Sequence, residues 1–171
     1  ALLGTSTHAG YFTGDVYVNG SNLPFTGSHE ALINTTDGVH VGDIVVDTEV
    51  ITKSDVSNTL CKVAVSTSSN QKGVVGVYVK ASNTTPPSLV SLLEDNTAIY
   101  INSVGEGQVN VCGESGNLEI GDLIVTSSIA GKGKKQGDDI IRSTTVAKVR
   151  ENVTFSYSTE VKQVACIYLC G

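Results

Sequence analysis

The apolar positions of this chain fall in short runs, and two of the most apolar are introduced by the same pair of residues. Gly121-Asp122 precedes Leu123-Ile124-Val125, and Gly42-Asp43 precedes Ile44-Val45-Val46. Glycine takes positive φ without a Cβ clash and aspartate can bond its own backbone, so each pair predicts a turn and the apolar triplet after it a buried strand. Beyond a polar excursion each phrase is followed by a second run, Gly73-Val74-Val75-Gly76-Val77-Tyr78-Val79 in one case and Thr145-Val146-Ala147-Lys148-Val149 in the other. The expectation is a strand, loop, strand unit in two copies, over about residues 38–82 and 96–171.

Elsewhere apolar and polar positions alternate. Ala98 to Val104 and Gln108 to Cys112 flank Gly105-Glu106-Gly107, which predicts a hairpin around a three-residue loop. Val50-Ile51-Thr52 and Leu60 to Val65 flank a second hairpin-like loop, and further strands are expected at 140–142, 144–149, 153–157 and 161–169. Pro86-Pro87 interrupts the sheet, and residues 88–95 offer the one helical turn. Lys132 to Asp139 reads as a charged loop tip. The fold class is therefore all-β, a compact sandwich or barrel-like domain of many short strands over residues 25–171. Residues 1–24 read as an N-terminal β extension, with Val16 and Val18 facing opposite to Tyr17 between two turn signals. That stretch has too little apolar surface to stand alone and is expected to pair with a neighbouring subunit.

Composition sharpens this picture. Val, Ile and Thr supply 53 of 171 residues while Met and Trp are absent, a balance that fits pleated sheet. The formal charge of −6 repels phosphate backbones and anionic lipid, so nucleic acid is not an expected partner. No run approaches the roughly 18 apolar residues of a spanning helix, so no membrane insertion is expected.

Candidate chemistry is sparse. Ser28-His29 is the best nucleophile and base pair, although neighbours in a strand point to opposite faces and a lysine partner such as Lys134 would have to come from elsewhere in the fold. Gly131-Lys132-Gly133-Lys134-Lys135 lacks the spacing of a phosphate loop. Asp138-Asp139 with Glu114 or Asp122 could offer oxygens to Ca²⁺, but without the spacing of a calcium loop, and neither metal nor other cofactor is expected. Cys61, Cys112, Cys166 and Cys170 are not spaced for zinc; an even count in an acidic Ser/Thr/Asn-rich β protein predicts up to two disulfides. Cys166 and Cys170 lie roughly 13 Å apart along an extended strand, too far to bond each other, so each would reach Cys112 or Cys61; four buried thiols are the alternative. Asn19, Asn34, Asn83 and Asn152 head N-x-[ST] sequons, possible N-glycosylation sites if the chain is secreted from a glycosylating cell.

The phrase Ala9-Gly10-Tyr11-Phe12-Thr13-Gly14-Asp15-Val16-Tyr17-Val18-Asn19-Gly20 resembles the stem wording that precedes the C-terminal domains of phage tail fibres and related trimeric β proteins. Residues 25–171, with Phe25 to Ile33, the Gly-Asp phrases and the ending Val164 to Gly171, are similar to the C-terminal region of fibre-like structural proteins of marine phages. The resemblance implies a structural subunit of an extracellular fibre or filament, on a virion surface or otherwise outside the cell, whose partners are copies of itself in a trimer or a helical filament. It also implies two alternatives: an autoproteolytic intramolecular-chaperone domain using Ser28, and a fibre tip that binds a receptor or glycan.

Overall fold

The computed structural model describes residues 26–35, 38–55, 58–82 and 95–170. The expected N-terminal extension and, apart from Asp95, the helical turn expected at 88–95 lie outside them. The described residues form nine strands and no α-helix: β1 (Thr26–Asn34), β2 (Ile44–Asp55), β3 (Asn58–Val65), β4 (Val74–Ala81), β5 (Asn96–Cys112), β6 (Leu123–Thr126), β7 (Gly133–Lys135), β8 (Thr145–Val149) and β9 (Val161–Leu169).

The sheet closes on itself twice. β1, β3, β2, β4 and β5 pair in that order and β1 returns to β5, making a five-stranded barrel in which only β1 and β3 run parallel. β5, β7, β6, β8 and β9 repeat the order, with β9 returning to β5 and only β5 and β7 parallel. The first half of β5 thus completes one ring, and its second half opens the next. Ala31, Ile33, Val45, Val63, Ile99 and Ile101 fill the first ring. Ile44, Val77, Val109, Val111, Ile124, Val146, Val164 and Tyr168 are among the residues filling the second.

β5 is where the sequence misleads most. Instead of a hairpin it is one 17-residue strand running straight through Gly105-Glu106-Gly107. A hairpin would set 98–104 against 108–112, but each half has a better partner far along the chain. Asn96 to Gly105 pair with β1, and Val104 to Cys112 with β9 without a break in register. The glycine at 107 answers to packing, because a Cβ there would fall 2.3 Å from the Tyr168 hydroxyl. That hydroxyl donates to Gln108 O at 2.7 Å and accepts from Gln108 N at 3.0 Å, and burial pushes the Tyr168 phenol up to about 12.

Two other expected strands are loops. Ile140 and Ile141 are exposed, and Val153 makes a single bridge to Leu118. Conversely Gly133-Lys134-Lys135, expected as a loop tip, is strand β7.

Candidate functional site

The two Gly-Asp corners can be compared atom by atom. Gly42 and Gly121 have φ of +90° and +101°, which a residue with a Cβ adopts only under strain. Asp43 N donates to His40 O at 2.9 Å and Asp122 N to Glu119 O at 3.1 Å, closing a turn in each ring. Each aspartate carboxylate then accepts from the backbone three residues earlier, His40 N at 3.0 Å and Glu119 N at 2.7 Å. Gly42 and Asp43 exchange backbone bonds with Tyr78, and Gly121 and Asp122 exchange the same two bonds with Val149.

The corners differ in what lies over them. Chain from the second ring covers the first corner: Ile44 N donates to Gly131 O at 2.8 Å, Asn110 N to Gly42 O at 2.9 Å, and Gly131 N to Ser66 O at 2.8 Å. Asp43 is only 2% exposed. Its Oδ1 receives Asn110 Nδ2 at 2.7 Å and also the ammonium of Lys132, while its Oδ2 lies 3.6 Å from His40 Nδ1. Asn110 is itself held by a second bond from Nδ2 to Val41 O at 2.9 Å. Backbone crowds this carboxylate, since a Cβ on Gly131 would stand 2.8 Å from Asp43 Cγ. A shallow pocket of about 440 Å³ opens on the cluster between His40, Asp43, Val65 and Lys132. At the second corner Asp122 receives Lys135 Nζ at 2.7 Å, and a Cβ on Gly121 would meet nothing nearer than Lys148 Cε at 4.0 Å.

β7 explains the lysine run that reads as a loop. Lys132, just ahead of it, takes Asp43; Lys135 takes Asp122; Lys134 takes Glu114 at 2.7 Å. Glu114 also accepts from the Ser128 amide and hydroxyl at 2.8 and 2.7 Å. Burial pushes its carboxyl up, but the bonds from Lys134 and Ser128 outweigh that and hold it at about 2. Lys134 Nζ donates to Ser69 Oγ at 3.0 Å, a serine and lysine contact that sequence reasoning missed. Lys134 is thus held between two partners, Glu114 and Ser69.

The sequence candidates are otherwise dispersed. Ser28 and His29 are both exposed on β1, opposite Asn102 and Ile101 of β5, and Lys134 is engaged elsewhere. Glu114, Asp122 and Asp138 are each taken by a different cation, the last by Arg142. Asn34 ends β1, and exposed Asn152 accepts from Ile120 N at 3.0 Å; Asn19 and Asn83 lie outside the described residues.

The expected disulfides are corrected: Cys61, Cys112, Cys166 and Cys170 are all free. Cys112 stands opposite Val161 and Cys166 opposite Gly107 on the same ladder, so the two lie roughly 17 Å apart at the rise per residue, far beyond bonding reach. Cys61 is opposite Val50 in the other ring. Burial pushes the Cys166 and Cys170 thiols up to about 12, so both stay protonated and behave as small apolar residues.

No family model matches the chain, and no curated protein matches it significantly.

Proposed function

We propose that this chain is a structural subunit of an extracellular fibre that assembles with copies of itself, and that the outer corner of its second ring is a contact face. The observation that carries the reading is the duplication. One ring already seats on a Gly-Asp corner within the chain, while among the described residues no backbone from the first ring bonds to the matching corner of the other. Around that second corner Ile120 is 67% exposed and Ile141 63% exposed, beside Asp122, Asp139 and Lys148. Apolar side chains ringed by both signs of charge suit a specific protein contact better than a solvated turn. Copies meeting through this corner and a different surface of the next would grow head to tail; corner to corner they would stop at a dimer.

Light scattering across a dilution series tests this. Assemblies larger than a dimer, lost in an Ile120→Asp, Ile141→Asp double variant and kept when residues 1–22 are deleted, are expected. A monomer at all concentrations, a dimer that grows no further, or assembly unaffected by the double variant would remove the reading.

A further inference from the structure

We propose that Lys132 and Asp43 are joined side chain to side chain by an amide bond formed within the folded chain. Lys132 Nζ sits directly on Asp43 Oδ1, with the lysine side chain 16% exposed and the aspartate 3%. Condensing an amine with a carboxylate is unfavourable in water, where both ions are well solvated and water is abundant. Burial removes both obstacles. Two desolvated charges lose much of the solvation that favours them, and a neutral amide leaves no charge to bury. Groups fixed in contact react as if at very high concentration, on the order of 10⁵ M or more in well-aligned intramolecular cases.

The surrounding residues supply what the step needs. As Nζ adds to Cγ, negative charge develops on Oδ1, and the Asn110 amide is already placed to donate there at 2.7 Å, held from turning by its bond to Val41 O. Oδ2 is the leaving atom. The ammonium, in contact with the carboxylate, passes its protons to it directly, and the His40 backbone amide, donating to Oδ2 at 3.0 Å, holds that oxygen in place. The step balances without an oxidant or a further reactant. The Nζ–Cγ bond forms and the Cγ–Oδ2 bond breaks; two of the three ammonium protons leave with Oδ2 as water, and the third stays on the amide nitrogen. Water departs through the pocket that opens beside His40 and Lys132.

The second corner is an internal control. Lys135 and Asp122 are 33% and 14% exposed, and Glu119 holds the position of His40. That pair stays ionic, so one bond is expected per chain, tying residues 89 positions apart across the seam between the rings.

Intact-mass measurement of the full chain, unfolded before analysis, tests the assignment. The expected mass is one water below that of the sequence. Lys132→Arg, which keeps the charge pair, should restore the full mass, and Lys135→Arg should not. Tryptic mapping should find cleavage after Lys132 blocked and one branched peptide containing residues 43 and 132. The full sequence mass in the unaltered protein would overturn the proposal, as would a water loss that survives in Lys132→Arg. Loss of ammonia mapped to Asn110 would overturn it too, by making that amide the acceptor.

Discussion

The corner at Gly42-Asp43 and the corner at Gly121-Asp122 share their turn, their glycine conformation and their pattern of backbone bonds, yet one is a crowded polar centre and the other a more open bend. What separates them is the chain laid over the first. Asn110, Gly131 and Lys132 convert an ordinary turn aspartate into a buried carboxylate with partners on both oxygens. The same local sequence thus acquires different chemistry from its place in the tandem, and substitutions made in pairs measure how much.

The largest difference is expected at the aspartates. Asp43→Ala leaves Lys132 and Asn110 without their acceptor and opens the closure between positions 43 and 132, which together cost about 4 kcal/mol or more. Asp122→Ala loses a partly exposed ion pair and a turn bond, about 1 kcal/mol. Equal shifts in denaturant midpoint would mean that the seam contributes nothing beyond the turn. Next come the glycines. Both Gly42→Ala and Gly121→Ala carry the strain of positive φ, about 1 kcal/mol, but only at Gly42 does the new methyl strike Asn110, whose amide would lie 2.7 Å away. Thermal unfolding should show Gly42→Ala the worse by another 1–2 kcal/mol. The smallest effect is at Glu114, whose folded carboxyl sits at about 2 against an ordinary value of 4.5. Because folding lowers it, the stability it adds is present above about pH 4.5 and fades as pH falls toward 2. At a quarter exposed the side chain is screened, so about 1 kcal/mol is expected. The unfolding curve of Glu114→Gln should run flatter than that of the parent through that window, and parallel curves would exclude the bond network as its source.

Much of the fold is legible in the chain because apolar runs and Gly-Asp signals act locally. Both corner phrases lead into strands where expected, and the all-β class follows from composition and alternation. What escapes is whatever distant chain decides. Gly105-Glu106-Gly107 has the letters of a turn, but each half of β5 finds a partner remote in sequence, and the glycines serve the crossing and the Tyr168 ring. Lys132 to Lys135 has the letters of a loop, but three carboxylates on other segments make a lysine-rich strand tolerable. The cysteines look like a framework, yet the ladder holds Cys112 and Cys166 out of reach of each other. The Asp43 cluster could have been suspected only by asking why one Gly-Asp phrase follows a histidine and the other a glutamate, His40 and Glu119, at the same offset.

The double membership of β5 also sets the order in which the chain can become itself during synthesis. The first ring cannot close until residues 96–105 have been made to meet β1, and the second waits for 161–169 to return to 104–112. Both closures span long stretches of sequence, which slows folding. A ribosome delivering the chain in order would release one barrel whose last strand projects as a half-used template, with the edge of residues 106–112 that faces β9 open until β9 arrives. In that interval the nascent protein is most exposed to pairing with the wrong strand, including the same strand of another copy.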